Sequence, residues 1–532
     1  MTHIVGRLIS AFEHYGPLTA LKILDKKYSY GELYRLSLQM AGYLASEDST
    51  SGAVGILVQR ELAAYQGVLG ALFANRTYVP INPQSSTEKI KSIVKQANIS
   101  TLVISEAQLY EYRGLLETLD LDSLLVPELT ASSENEAREA SLPRVIDQGV
   151  LATFEGAVGG GYSDSLYIMF TSGSTGTPKG VPINNRNLTS FINAYQSHFD
   201  FEPGFIASQT FDFSFDPSVA DLIFTWLHGG QVTALTKEEL YCPSDYIVRE
   251  GIQVWASVPA LAEFIRQLGA LEENSFPSIE RSIFCGEALT KSLAKAWRKA
   301  APNSTLENWY GPTETTIYIS HKVISDSELQ DVDTNHYVPI GAGLGAHELC
   351  IVDANHQLVG PEDKGELVIK GPQLCDGYLD EQRKTERAFV AMPWDQSAEN
   401  RWYKTGDLVW RNAKGDFCYS GRLDNQIKIS GRRIELGEVE RCLQVYGRLD
   451  PVVVVPIYSE SGAVDRLVAY TTQSLDKDQI KEVKKRCRNN IEAIFYPKKI
   501  VSISKFPTNF SGKVNRKKLT ADANDQLEAL PL

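Results

Sequence analysis

The 532-residue chain has little cysteine for its length, seven residues at positions 242, 285, 350, 375, 418, 442 and 487, odd in number and scattered. With no Cys-x-x-Cys among them, neither a disulfide framework nor a thiolate zinc site is indicated, and a reducing compartment is expected. Positive charge is also short: 53 Lys and Arg stand against 66 Asp and Glu, a formal net charge of -13. General nucleic-acid binding is thereby excluded, since it requires clustered cations to neutralise phosphates. No apolar run approaches the length of a membrane span, and the start lacks a charged segment followed by an apolar one. The expectation is a cytoplasmic protein with no membrane insertion. The common phosphate loop Gly-x-x-x-x-Gly-Lys-Ser/Thr is missing too: five residues past Gly173 stands Pro178, and Lys179 is followed by Gly180.

What the chain does contain is a different phosphate-binding pattern. Thr171-Ser-Gly-Ser-Thr-Gly-Thr-Pro-Lys-Gly180 holds three glycines, three threonines and two serines. Backbone N–H groups and hydroxyls of such a loop can wrap a polyanion, with Lys179 as the point charge. The apolar run Leu166–Phe170 before it reads as a buried strand. Asn185 after it reads as the N-cap of a helix carrying Leu188, Phe191, Ile192 and Tyr195. Near the start, Ile4, Val5, Leu8, Ile9 and Phe12 share one helical face. Between Val254 and Trp309 the pattern is strand, helix, strand, helix, strand, with Leu261, Phe264, Ile265 and Leu268 on one face of the first helix, which opens at Pro259. Right-handed crossovers then make the strands parallel and bring Gly286-Glu287 and Tyr310-Gly311 to their carboxyl ends, where open α/β sheets bind ligands.

The length exceeds what one core usually serves. Past Gly421 the elements shorten, with strands near Val452–Val455 and Leu467–Tyr470 and a charged helix from Lys477 to Arg488. The fold class expected is α/β: a large N-terminal core of parallel-sheet subdomains over residues 1–423, and a small α+β domain over 424–532. The polar, acidic stretch Ala131–Arg144 reads as a surface excursion.

Seven segments taken together carry a resemblance: Tyr78-Val-Pro-Ile-Asn-Pro83, Tyr167–Val181, Phe215-Asp-Pro-Ser-Val219, Asn308-Trp-Tyr-Gly-Pro-Thr-Glu-Thr315, Tyr403-Lys-Thr-Gly-Asp-Leu408, Gly421–Gly431 and Ser511-Gly-Lys-Val-Asn-Arg516. In this order they resemble the adenylate-forming enzymes, which include acyl-CoA synthetases, luciferases and nonribosomal peptide synthetase adenylation domains. The resemblance spans essentially the whole chain. It implies attack of a carboxylate on the α-phosphate of ATP, release of pyrophosphate, and transfer of the acyl group to a thiol. Such a reaction needs cations and donors placed in advance around the developing charge.

By that resemblance the catalytic set is Lys513, Lys179 and Glu314. Lys513 would contact the α-phosphate and substrate carboxylate, and Glu314 would be the carboxylate for Mg²⁺, a hard cation suited to oxygen ligands. ATP would be held by Thr171, Ser172, Gly173, Ser174, Thr175, Gly176 and Lys179 at the phosphates. Tyr310 would stack on adenine, lined by Gly286, Glu287, Ala288, Asn308, Gly311 and Thr313. Asp407 and Arg422 would take the ribose. Asp424 matches a hinge on which the small domain swings between adenylation and thiol transfer, flanked by Gly421 and Gly431, and Lys428 with Gly431-Arg432-Arg433 belongs to the second state.

Phe215-Asp216 matches the position where amino-acid-activating members hold an aspartate against the substrate ammonium. A dry carboxylate rejects a plain acid, which would leave it unpaired. The pocket positions that follow are Pro217, Ala220, Ala256, Ile283, Cys285, Trp309, Ile317 and Tyr318, with Lys513. Trp309 and Tyr318 fill space that a larger side chain requires, so glycine is favoured, then D- or L-alanine. The segments Thr210–Asp216 and Phe284–Leu289 are similar to stand-alone D-alanine carrier-protein ligases. No carrier domain is expected, since about sixteen residues remain after Arg516. The expected partner is therefore a phosphopantetheinylated carrier protein in trans, with the basic runs Lys484-Lys485-Arg486 and Arg516-Lys517-Lys518 as docking surface. Serine, proline and β-amino acids for siderophore or natural-product assembly, an acyl-CoA synthetase acting on a small carboxylic acid, and a silent nucleotide-binding scaffold are the competing readings.

Overall fold

The computed structural model describes residues 3–47, 52–129, 142–154, 164–171, 178–330, 336–360, 362–423, 426–429, 431–458, 464–488, 490–507 and 514–528. Two large, mostly parallel sheets organise the first three hundred and fifty or so of them. One has seven strands, in the order Arg144–Asp147, Ser123–Val126, Thr101–Val103, Val54–Leu57, Tyr78–Ile81, Tyr167–Thr171 and Lys179–Ile183. All neighbours are parallel except the last pair, which forms an antiparallel hairpin with Thr171 opposite Lys179. The second sheet has nine strands, with the six from Thr305–Tyr310 through Arg281–Cys285, Val254–Ser257, Ile206–Gln209 and Gln231–Ala234 to Thr19–Ile23 running parallel. Ser320–Val323 pairs antiparallel with Thr305–Tyr310.

The helix Leu62–Phe73 is apolar all round, and every residue from Ala63 to Phe73 is buried, as such a composition demands. The N-terminal helix Ile4–His14 buries Ile4, Val5, Leu8 and Phe12 as its spacing requires. Two local readings are corrected. The helix after the phosphate loop is capped by Asn184, whose side chain accepts from the Asn187 N–H at 3.0 Å, and Asn185 is its first residue. The helix Pro259–Gln267 buries Pro259, Ala262, Glu263 and Ile265, while Phe264 and Leu268 are exposed.

An antiparallel five-stranded sheet follows, built on Gly365–Lys370 and Trp402–Arg411, with Phe417–Arg422 added at the latter. Beyond Arg422 the chain forms the hairpin Gln426–Ile429 with Arg432–Glu435 and a three-stranded sheet of Val452–Tyr458, Val464–Thr471 and Lys499–Ser502. Helices Leu436–Val445 and Lys477–Cys487 pack there around Ile434, Val439, Val454 and Ala469, a core separate from those upstream. Asp424, assigned as the hinge, lies outside the described residues. Arg516 is held internally, its guanidinium 2.6 Å from Glu440, whereas Lys517 and Lys518 are exposed.

Candidate active site

Parallel strands end together at the ligand edge of the nine-stranded sheet. Cys285 closes one and Tyr310 the next, paired in register as Cys285 with Trp309, so Gly286-Glu287 and Tyr310-Gly311 stand side by side. Gly286, Glu287, Ala288, Asn308, Trp309, Tyr310, Gly311, Asp407 and Arg422 all line one cavity of about 700 Å³. A smaller pocket of about 120 Å³ shares Tyr310, Gly311, Asp407 and Arg422 with it and adds Thr171, Phe215 and Thr313. The structure thus gathers the residues assigned to base, ribose and phosphates from segments more than two hundred positions apart. Ser172, Gly173, Ser174, Thr175, Gly176 and Lys513 lie outside the described residues.

Within the cavity the Tyr310 hydroxyl donates to Asp407 Oδ2 at 2.5 Å, and Arg422 Nη1 donates to Asp407 Oδ1 at 2.8 Å and to the Thr405 carbonyl at 2.9 Å. Asp407 is therefore held at both oxygens, one of them by Tyr310. Burial and the neighbouring Asp407 carboxylate push the Tyr310 phenol well above its ordinary range, so it stays a donor. Asn308 sends its amide to the Val338 and Pro339 carbonyls at 3.3 and 3.0 Å, which fixes the cavity wall.

Glu314 is fully buried on the short helical turn Thr313–Thr315, and the Tyr378 hydroxyl donates to its Oε1 at 2.8 Å. The Lys179 ammonium lies 4.9 Å from the centre of the same Tyr378 ring. One tyrosine therefore ties the lysine of the phosphate hairpin to the acidic turn, a link that sequence reading missed because Tyr378 belongs to none of the motifs.

Asp216 is 3% exposed, and its Oδ2 has no hydrogen-bond partner among the described residues. Burial, reinforced by the Glu314 charge, pushes its carboxyl up to about 7; the Lys428 charge and the Ile317 N–H bonded to it pull the other way. That N–H is presented by a strained turn, in which Thr316 and the β-branched Ile317 both have positive φ, 59° and 70°. Buried Gln373 pins the turn, its Nε2 donating to the carbonyls of Thr315, Thr316 and Tyr318 at 3.1, 3.1 and 2.9 Å. Gly311 is required beside it, because a Cβ there would sit 2.2 Å from the Ile317 carbonyl oxygen. Trp309 and Tyr318, assigned to the substrate pocket, are buried at 1% and 2% exposure with ring centres 5.4 Å apart, and the Tyr318 hydroxyl lies 3.3 Å from Cys285 Sγ.

The hairpin Gln426–Glu435 faces this site. Gly431 N–H donates to Glu287 Oε1 at 2.8 Å, while the Ala260 N–H donates to Glu287 Oε2 at 3.0 Å. A side chain at Gly431 would stand 2.4 Å from Val258 Cγ1, and its φ of 77° favours glycine as well. Arg432 donates to Asp212 at 2.9 Å and pairs with Glu492, and Lys428 lines both pockets described above. A third cavity, of about 810 Å³, is bordered by Val258, Leu261, Phe264, Asp212 and Arg432.

Comparison with known proteins shows the family. Residues 10–379 match the family model for an AMP-binding enzyme. The chain is 30% identical over 510 residues to a protein named D-alanine–D-alanyl carrier protein ligase from Lacticaseibacillus casei, covering 94% of each. It is likewise 30% identical to the similarly named protein of Listeria monocytogenes over 538 residues, 98% of this chain and 99% of that one. Among solved structures, the Vibrio cholerae adenylation domain AlmE in complex with glycyl-adenosine-5'-phosphate superposes with a TM-score of 0.84 at 26% identity, over 98% of both chains. Among the described residues no helix is long and apolar enough to cross a membrane. The chain belongs to the AMP-binding enzymes and is an AMP-forming ligase.

Proposed function

We propose that this ligase activates a small amino acid, glycine ahead of D- or L-alanine, as its aminoacyl-AMP and transfers it to the phosphopantetheine thiol of a separate carrier protein. The observation that carries the reading is Asp216, a buried carboxylate whose Oδ2 has no partner among the described residues; by the resemblance, the buried Trp309 and Tyr318 wall the side-chain space beside it. An ammonium is the group that satisfies that carboxylate, and two large rings at the pocket positions favour a small side chain. The names of the relatives, with D-alanine and a carrier protein in them, and the glycyl-adenylate in the AlmE complex support the same class of substrate.

In this reading Asp216 accepts the substrate ammonium and the Ile317 turn fixes the carboxylate opposite it. The substrate carboxylate oxygen attacks the α-phosphorus of ATP, the bond to pyrophosphate breaks, and the aminoacyl-AMP forms. Tyr310 and Glu287 flank the base, Asp407 and Arg422 the ribose, and Lys179 the leaving phosphates; Lys513, by the resemblance, reaches the α-phosphate. Buried Glu314, positioned by Tyr378, and the Thr171 hydroxyl, which has no partner among the described residues, are hard oxygen donors that fit Mg²⁺. Among the described residues no cluster of three His, Cys, Asp or Glu exists, as suits an ion held largely by phosphates. When bound, the ion neutralises charge on the leaving pyrophosphate.

Transfer follows when the thiolate attacks the acyl carbonyl and AMP leaves. We assign the division at Asp424, between residues 1–423 and 424–532, as the hinge for this second step. The Gly431 hairpin docked on Glu287 represents the thiol-transfer arrangement, and the 810 Å³ cavity beside Val258 and Phe264 the route of the pantetheine arm. The test is loading: the enzyme with ATP, Mg²⁺ and glycine should add a glycyl thioester to a phosphopantetheinylated carrier protein, read by intact mass. Acyl transfer to free coenzyme A in preference to every carrier tried would contradict the assignment.

A further inference from the structure

Trp309, assigned to the substrate pocket, is held by groups that line none of the three cavities described above. Glu307 and Trp309 are two apart on the strand Thr305–Tyr310 and so share one face, and His321 stands directly across from Trp309 on the antiparallel neighbour. The indole Nε1–H donates to Glu307 Oε2 at 2.7 Å. Glu307 Oε1 in turn takes Arg281 Nη1 at 2.7 Å, so the carboxylate, 1% exposed, has both oxygens engaged. On its other side the indole stacks on His321, with ring centres 4.6 Å apart and planes at 26°. His198 closes against His321 at 4.2 Å. Burial lowers His321 to about 4, with His198 and Arg281 adding repulsion, so a neutral ring backs the indole at neutral pH.

An indole held at its N–H, stacked along one face and flanked by the Tyr195 and Tyr318 rings at 5.0 and 5.4 Å has little freedom to turn. We propose that Glu307 and His321 are positioning residues for specificity: they lock Trp309 over the substrate side-chain space and so set the size limit of the amino acid. The inference rests on the reading that this ligase activates a small amino acid. Released from either hold, the indole can rotate away and admit larger substrates.

Discrimination by one or two methylenes in such a pocket is worth roughly 10–200-fold. With Glu307→Leu or His321→Leu, the kcat/KM ratio of glycine to 2-aminobutyrate in ATP–pyrophosphate exchange should fall about tenfold, through a lower KM for the larger acid. Glu307→Gln keeps an acceptor for the indole N–H and should retain the wild-type ratio although it loses the Arg281 ion pair. In a Trp309→Phe background, which lacks the N–H, Glu307→Leu should leave the ratio unmoved. A purely structural role would lower turnover of both acids alike and make Glu307→Gln as harmful as Glu307→Leu. His321→Leu carries the same expectation should Glu307→Leu fail to fold, His321 being only half-buried. A ratio unmoved in all variants, with robust exchange, overturns the proposal alone; no exchange by the wild type with any amino acid overturns the functional reading and the proposal with it.

Discussion

Replacing Asp216 by asparagine should strengthen the fold and remove the activity, with opposite dependence on pH. The carboxyl sits at about 7 in the folded protein against an ordinary 3.8, so the folded state holds its proton where the unfolded chain releases it. The group therefore contributes full stability below pH 3.8, and that contribution is lost as pH rises to about 7. Each pH unit across this window removes ~1.4 kcal/mol, so the ionised carboxylate weakens the empty enzyme by up to about 4 kcal/mol above pH 7. Asp216→Asn carries no such dependence. Urea unfolding followed at pH 5 and pH 8 should show the advantage of Asp216→Asn over wild type growing by about 3 kcal/mol between the two. An ammonium substrate reverses the balance by ionising Asp216 productively, so glycine should protect the wild type at pH 8 and leave the variant unprotected. A stability difference that is the same at both pH values, or equal protection of both proteins by glycine, would refute the reasoning.

Trp309→Ala should open the pocket and shift the preference from glycine toward larger amino acids by ~1–3 kcal/mol, read as kcat/KM ratios in pyrophosphate exchange. Gly431→Ala puts a Cβ 2.4 Å from Val258 Cγ1, so it should slow transfer of the preformed adenylate to the carrier thiol at least tenfold while leaving pyrophosphate exchange near wild type. Single-turnover loading separates the two steps, and equal slowing of both would contradict it. Gln373→Leu leaves three buried carbonyls without their donor and should cost ~2–4 kcal/mol of stability. It should also raise the KM for the amino acid more than that for ATP, because the turn it frees carries the Ile317 N–H to Asp216.

The parallel strand–helix–strand unit from Val254 to Trp309 was legible because its apolar runs are short, β-branched or aromatic, and separated by helical spacing. So was the gathering of Gly286, Tyr310, Asp407 and Arg422, since each sits in a motif. The strand Lys179–Ile183 was not, because Pro178, Gly180 and Pro182 argue against a strand; as an edge strand of the seven-stranded sheet it tolerates a proline. The face of the helix Pro259–Gln267 misled for a functional reason. Leu261 and Phe264 are apolar at helical spacing and both border the 810 Å³ cavity, Leu261 packing against the core as well while Phe264 is exposed. Tyr378, Gln373, Glu307 and His321 carry no local signature. Each acts through a partner brought near by the fold, as Tyr378 meets Glu314 across 64 residues and Gly431 meets Glu287 across 144.

Amino-acid-dependent ATP–pyrophosphate exchange with glycine, both alanines, serine, proline and β-alanine, run beside acetate and propionate and repeated with Asp216→Ala, separates activation of an amino acid from activation of a plain acid. Exchange should be strongest with glycine, weaker with the alanines, and lost in Asp216→Ala. Exchange with acetate or propionate and with none of the amino acids would contradict the amino-acid assignment, and would make Asp216 a buried structural carboxylate in an acyl-activating ligase.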